Sequence, residues 1–269
     1  MNYQNTILEK IVIAKKEELS SSKMRDSLFD LKQKARDLEP TRDFIKNFDV
    51  SLTPQLPATR IIAEIKKASP SAGLIRNPFS PAEIAKTYLE CGVAAISVLT
   101  DPAFFQGSLD HLQEVRRISD RPLLRKDFMI DEYQIYQARA YGADCILLIA
   151  ALLEKSEMED MAGLAAEMGL SSLIEIHDEE ELQLVLQVKT SRALLGINNR
   201  DLKTLKMDLS TTEKLRAKIP LDQKVISESG IQTRSDINRL LQVPVNGFLI
   251  GEHLLKQREI KTHLLELIG

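Results

Sequence analysis

Cysteine is nearly absent: Cys91 and Cys145 are the only two in 269 residues, far apart and without metal-type spacing. That excludes a disulfide framework and a thiolate metal site, and leaves two reduced, buried thiols as the expectation. Long hydrophobic runs are missing as well. Stretches such as Cys145–Leu153 are too short to cross a bilayer. Met1 to Lys10 is polar and mixed in charge, with neither the apolar segment nor the small-residue cleavage site of a secretion signal. Neither sign of charge is in excess, since 36 Lys and Arg stand against 39 Asp and Glu, a net charge of -3. The electrostatic case for a nucleic-acid or membrane partner therefore falls away, although small anions can still be captured by local charge. With 43% hydrophobic and 28% charged residues the composition is that of a folded globular chain, expected in the cytoplasm.

What is there is a repeat of alternating character. From residue 60 onward, eight short apolar runs appear: Arg60–Ile65, Ala94–Thr100, Pro122–Lys126, Cys145–Ala150, Ser171–Ile176, Ala193–Asn198, Lys224–Glu228 and Gly247–Gly251. Each is followed by sequence of helical period, such as Pro81–Glu90, Glu154–Met168 or Arg234–Leu241. Asp131, Asp178 and Asp208 stand where N-caps belong, and Pro81 suits a first helical turn. Gly92, Gly142 and Gly169 each close a helix just before the next strand, so CGVAAI, YGADCI and MGLSSL read as one joint used repeatedly. Near-continuous apolar strands alternating with helices mean a parallel sheet covered on its outside. Eight units in one chain predict an α/β fold of the closed (β/α)₈ TIM-barrel type, a single domain over 1–269 with the barrel at 60–269. An open doubly wound sheet is the alternative, but no Gly-rich first turn of the dinucleotide-binding kind is present. Residues 1–59 do not fit the repeat and read as an N-terminal helical extension, packed on the barrel or lying over its active face.

Strand side chains alternate faces, so parity sorts each run. Glu64 and Lys66 share a face with Ile62, Lys126 with Leu124, Glu175 with Leu173 and His177, Asn198 and Arg200 with Gly196, and Glu228 with Ile226. Charged or amide groups thus end five apolar strands, where stability alone calls for Val, Ile and Leu. A structural ion network would account for any one of them; for five strands together it is a poor account. Two lysines and three glutamates in one cavity tune one another's ionisation and suit proton transfer in both directions. No Ser–His pair or metal-ligand cluster competes. The histidines His111, His177, His253 and His263 are scattered and expected mostly at the surface, with His177 a candidate to stand behind Glu175. Small residues after strands 7 and 8, namely Ser229, Gly230 and Gly251, predict a phosphate held by backbone N–H groups.

The segments EIKKASPSAG, AISVLTDPAFFQGS, PLLRKDFMIDEYQIYQARAYGAD, LIEIHDEEEL, LLGINNRDL, ISESGI and FLIGE resemble, in order, the signature segments of indole-3-glycerol-phosphate synthase. The resemblance runs from about Arg60 to Glu252 and, more loosely, over the N-terminal segment. It implies the substrate 1-(2-carboxyphenylamino)-1-deoxyribulose 5-phosphate, the products indole-3-glycerol phosphate, carbon dioxide and water, and no metal or organic cofactor. By motif position, Lys126 resembles the family's general acid and Glu175 its general base, while Lys66 would hold substrate anions and supply a proton for the departing water. Glu64 is a second carboxylate for that chemistry, and the sequence leaves open which of Glu64 and Glu175 takes the last proton. Ser69, Asn198, Arg200 and Glu228 would position substrate, and Ser229, Gly230, Gly251 and Glu252 would line the phosphate site. Glu252 stands where some members carry serine, so its side chain is expected to point away from the anion. The resemblance is to the stand-alone form, expected as a monomer acting on a phosphorylated small molecule. Two alternatives stay open on the residues: another phosphate-binding barrel enzyme such as phosphoribosylanthranilate isomerase, and a non-catalytic barrel used for binding.

Overall fold

A computed structural model describes residues 7–202 and 204–269. The apolar runs become strands because nearly every position in them is buried, which favours the Ile, Val and Leu that fill them. They are β1 (Ile61–Ile65), β2 (Ala95–Leu99), β3 (Leu123–Lys126), β4 (Cys145–Ile149), β5 (Ser171–Ile176), β6 (Ala193–Asn198), β7 (Val225–Glu228) and β8 (Gly247–Ile250). Each pairs in parallel with its chain neighbours, and β8 returns to β1 to close the barrel. The predicted (β/α)₈ architecture is the one observed, and the open-sheet alternative is excluded. All eight strands run the same way, so their C-terminal ends meet at one rim.

The helices are α1 (Ile7–Arg25), α2 (Leu28–Arg36), α3 (Pro81–Glu90), α4 (Leu109–Ile118), α5 (Tyr133–Ala140), α6 (Lys155–Glu167), α7 (Glu179–Val185), α8 (Ser210–Arg216), α9 (Arg234–Leu240), α10 (Glu252–Lys256) and α11 (Ile260–Ile268). Short turns at Ile45–Phe48 and Pro102–Phe105 are also helical. Local chemistry sets their starts: Asp178 caps α7 by accepting from the Glu181 N–H at 2.9 Å, and Thr233 and Asp236 form a reciprocal box at α9. Asp131 and Asp208 depart from expectation, since the caps of α5 and α8 fall one residue later, at Glu132 and Leu209. Each aspartate still accepts a first-turn N–H from one step further out, from Tyr133 and Ser210 respectively. The joint glycines behave as predicted, with φ of 73° at Gly92, 87° at Gly142 and 78° at Gly169.

The N-terminal extension does more than pack. Ile7, Leu8 and Ile11 of α1 border the cavity at the C-terminal rim. Then α2 lies along α5, where Leu19, Leu31, Tyr133 and Ala140 make a small core of their own. The following segment crosses to the other end of the barrel, where Phe44 and Phe48 are fully buried. The described part of residues 1–59 is therefore packed on the barrel and borders the cavity at its rim; residues 1–6 lie outside the described residues.

Asp144, just before β4, ties this wrapping to the barrel. Its carboxylate accepts from the backbone N–H of Arg42 and of Leu123, each at 2.8 Å, and pairs with Arg116 at 2.8 Å. Asp144→Ala leaves a largely buried guanidinium without its partner, a loss of about 3–5 kcal/mol. The melting midpoint is expected to fall by roughly 6–20 °C at this chain length, with turnover at room temperature unchanged because the site is at the opposite end. A calorimetric midpoint equal to that of the parent would remove Asp144 from this role.

Candidate active site

Parallel register carries inward parity from strand to strand. Glu64 pairs with Ser97, Leu99 with Lys126, Ile149 with Glu175, and Asn198 with Glu228, so the five polar ends share the inner surface. They stand in the last inward layer, around the floor of a cavity of about 400 Å³ at the C-terminal rim. The five strand ends singled out from sequence parity are thus brought together. Ser69, Arg200, Ser229, Gly230, Gly251 and Glu252 line the same cavity, as does Lys66.

Lys126 is the centre. Its Nζ donates to Glu175 Oε2 at 2.8 Å and to Glu228 Oε2 at 2.7 Å, with only 13% of the side chain exposed. Burial alone would push the ammonium toward discharge, but Glu175, Glu228 and Glu64 outweigh it and hold Lys126 above the ordinary lysine range. Glu175 is fixed from three sides: beside Lys126, Asn198 Nδ2 donates to its Oε1 at 3.2 Å, and His177 Nε2 lies 3.1 Å from the same oxygen. Burial pushes the Glu175 carboxyl up, yet Lys126 and His177 together hold it below the usual carboxylate range. Burial works against the His177 charge too, but Glu175 and Glu181 push its pKa up to about 10. Glu228 is the exception. Burial, reinforced by the charge of Glu175, raises it to about 7 against the pull of Lys126, and its Oε1 has no hydrogen-bond partner among the described residues.

The cavity is chemically divided. Phe105 and Phe128, with ring centroids 6.0 Å apart, form an apolar wall with Leu8, Ile11, Leu147 and Leu202. Lys66, Arg200 and Lys256 bring positive charge to the other side. Lys66 pairs with Glu64 at 2.5 Å, while Arg200 donates to Ser71 Oγ at 3.0 Å and to Glu252 at 3.3 Å. Glu252 binds Lys256 at 2.6 Å with its other oxygen, so both oxygens of its side chain are held by cations. Ser69 Oγ accepts from the Ala72 N–H at 3.2 Å and so shapes the loop after β1.

Gly251 requires a different explanation from the one its sequence position suggested. A Cβ there would overlap Glu64 Oε1 and approach Glu64 Cβ to 2.8 Å. Its smallness is therefore dictated first by the close approach of Glu64, and a bulky replacement would disturb that carboxylate along with any anion. Gly196 does the same for Glu228, whose Oε1 fills the space a side chain would take. His177, the one histidine singled out from the sequence to stand behind Glu175, does so, being 7% exposed and bonded through Nδ1 to Glu181 at 3.0 Å. Sequence parity missed the apolar wall and the α1 side chains, because most of them lie outside the strands; the double phenylalanine of DPAFF and the Phe of KDF were the available signals.

The ionisation of Glu228 makes a test of this geometry. A carboxyl raised from 4.5 to about 7 keeps its proton in the folded chain while the unfolded chain has released it. Its stabilising contribution is complete below about 4.5 and is lost as pH rises through about 7. Glu228→Gln, neutral at every pH, escapes that loss. The midpoint difference between variant and parent should be greater at pH 8 than at pH 5 by roughly 5 °C; equal differences at both pH values would contradict it.

Comparison with known proteins agrees with this arrangement. A sequence model described as indole-3-glycerol phosphate synthase matches residues 8–267. The indole-3-glycerol phosphate synthase of Polaromonas naphthalenivorans is 44% identical over 263 residues, covering 98% of both chains. That of Acinetobacter baumannii is 45% identical over 257 residues, covering 96% of this chain and 93% of its own. Among solved structures, the tryptophan synthase alpha subunit of Legionella pneumophila superposes with a TM-score of 0.60 at 12% identity, over 85% of this chain and 97% of its own. Thiamine phosphate pyrophosphorylase from Pyrococcus furiosus gives 0.58 at 15% identity, over 78% and 94%. At such identities these two show the barrel fold alone. A near full-length family match and similar relatives over nearly the whole chain lead to one conclusion: the chain belongs to the indole-3-glycerol phosphate synthase family, an enzyme family of tryptophan biosynthesis.

Proposed function

We propose that this chain acts as a carboxy-lyase on 1-(2-carboxyphenylamino)-1-deoxyribulose 5-phosphate, with Lys126 as the proton donor for ring closure. The observation that carries the reading is the Lys126 ammonium, bonded to two buried carboxylates beneath a cavity that is apolar on one side and cationic on the other. The apolar wall suits the aromatic ring of such a substrate. Lys66, and Arg200 beyond it, suit its carboxylate, and the loops after β7 and β8 suit the phosphate through Ser229, Gly230, Gly251 and the Glu252 backbone.

The chemistry then follows in order. As the ring carbon bearing the carboxylate attacks the ketone, negative charge grows on the carbonyl oxygen. An alkoxide is a stronger base than an amine, so even a lysine held above its ordinary range delivers its proton late in that step. Carbon dioxide departs with its bonding electrons left in the ring, which restores aromaticity. The new hydroxyl leaves as water, taking a proton from Lys66, while the proton on the ring carbon beside the nitrogen passes to a carboxylate. Glu175 suits that last task better than Glu64, because once Lys126 has given up its proton the charge that held Glu175 low is gone, while Asn198 still holds it in place. None of these steps calls on a metal or organic cofactor. Action in the cytoplasm, as a monomer, without nucleic acid or membrane, belongs to the same proposal.

The test is direct, because the chain contains no tryptophan and so adds no indole emission of its own to that of the product. The parent should convert the substrate with a rising indole signal. Lys126→Ala should lower kcat roughly 10²-fold or more. The fold should persist at a reduced midpoint, since the freed Glu228 protonates instead of remaining charged. Lys126→Arg should not restore turnover, because a guanidinium gives up its proton too reluctantly. An active arginine variant would make Lys126 a counter-ion and sink its assignment as the acid.

A further inference from the structure

The first helix carries a residue foreign to a buried face. Lys15 has no exposed side-chain surface, yet its Nζ lies 2.7 Å from Asp127 Oδ1, 3.0 Å from Asp101 Oδ2 and 2.5 Å from Glu18 Oε2. A buried ammonium is tolerated only when it is fully paired, so the three contacts are the condition for its presence. Two of the partners belong to the rim. Asp127 is the residue after Lys126, and Asp101 opens the loop after β2, where its Oδ1 accepts from the Phe104 N–H at 2.8 Å.

Asp127 has every acceptor position in use. Oδ1 takes the Lys15 ammonium and the N–H of Phe128 at 2.8 Å; Oδ2 takes Thr100 Oγ1 at 2.6 Å and Arg125 Nη2 at 2.9 Å. Arg125 is held in turn by the Gln134 carbonyl at 3.1 Å and by Thr100 Oγ1 at 3.1 Å. Lys126 thus lies between two anchored neighbours, and the α1 contribution to that anchoring is a single charge. Asp127 borders the cavity, but its oxygens are committed to these partners and take no part in the cluster of Lys126, Glu175 and Glu228.

We propose that Lys15 is a positioning residue for the reaction: by fixing Asp127 against Asp101 from the N-terminal helix, it aims the Lys126 ammonium into the cavity. The inference rests on Lys126 being the proton donor. It gives the N-terminal extension a part in turnover that is separate from covering the rim, since Ile7, Leu8 and Ile11 do the covering earlier in the same helix. Small errors of aim are costly in rate, about 10²-fold for a displacement near 1 Å.

The experiment compares Lys15→Met with the full-length parent, measuring kcat and KM by product fluorescence about 20 °C below each protein's own melting midpoint, so that unfolding does not enter the rate. The expected result is a kcat lowered about 10- to 100-fold with KM nearly unchanged, since Lys66, Arg200 and the phosphate loops are untouched. Lys23→Met is the control. Lys23 also ties α1 to the loop after β3, through Asp131 at 2.6 Å, but it is half exposed and its partner lies further along the loop from Lys126. Its kcat should stay at the parent value. Lys15→Met frees two buried carboxylates at a cost in stability, so it is also made in Asp101→Asn and compared with Asp101→Asn alone. A kcat equal to that of the matching reference, in either background, overturns the proposal, as does a lowered midpoint with unchanged kcat. An active Lys126→Ala would instead overturn the reading beneath it; an inactive Lys126→Ala beside a fully active Lys15→Met refutes this inference alone.

Discussion

Ionic groups can stand inside this barrel only because each is answered by another, and for the central one the answer comes from two other strands. Lys126 on β3 is paired with Glu175 on β5 and Glu228 on β7, opposite parts of the ring. A pair made across a closed barrel depends on closure itself: if the strands splayed, the charges would be stranded in an apolar interior at a cost of several kcal/mol each. Closure is secured lower down by inward Ile, Leu and Ala, and at the far end by Phe44 and Phe48. The ordinary hydrophobic core thus supports an arrangement that by itself would weaken the fold.

The ionic groups fall into two sets with different consequences. Around Lys126 the balance is incomplete: Glu228 keeps one oxygen without a partner among the described residues and titrates near neutrality. Around Lys15 and Asp127 the balance is tight, and Asp127 is held down to about 2 because Lys15 and Arg125 outweigh its burial. Incomplete pairing faces the cavity, where protons must move. Complete pairing lies behind it, where nothing should. Functional sites commonly concentrate such perturbed groups, and here Lys126, Glu175, His177 and Glu228 are all shifted.

The barrel was legible in the sequence because two signals agreed. Apolar runs such as CILLI and SSLIEI gave the strands, and glycines at the helix-to-strand joints gave the period. Parity alone places Glu64, Lys126, Glu175, Asn198 and Glu228 on one surface, since alternation along a strand is geometric. Helix starts were less certain, as Asp131 and Asp208 show: an aspartate can serve a first-turn N–H from just outside the cap. The cluster around Lys15 was not legible, because a lysine in AKKEEL looks like the solvated face of a helix until the loops after β2 and β3 are laid against it. The alternatives of an isomerase or a binding module do not survive the family match, which separates barrels of shared architecture where fold alone could not.

The two glycines that make room for carboxylates link positions that are far apart in the chain. At residue 196 the missing side chain has the shape of Glu228, and at residue 251 that of Glu64. Each pair is sterically coupled: an alanine at 196 fits only if the residue at 228 retreats, and then the lysine between the carboxylates loses a partner. Drift at these glycines is therefore checked by reaction chemistry and not by backbone strain, so the set of sequences open to this barrel is narrowed most sharply where it has the fewest atoms.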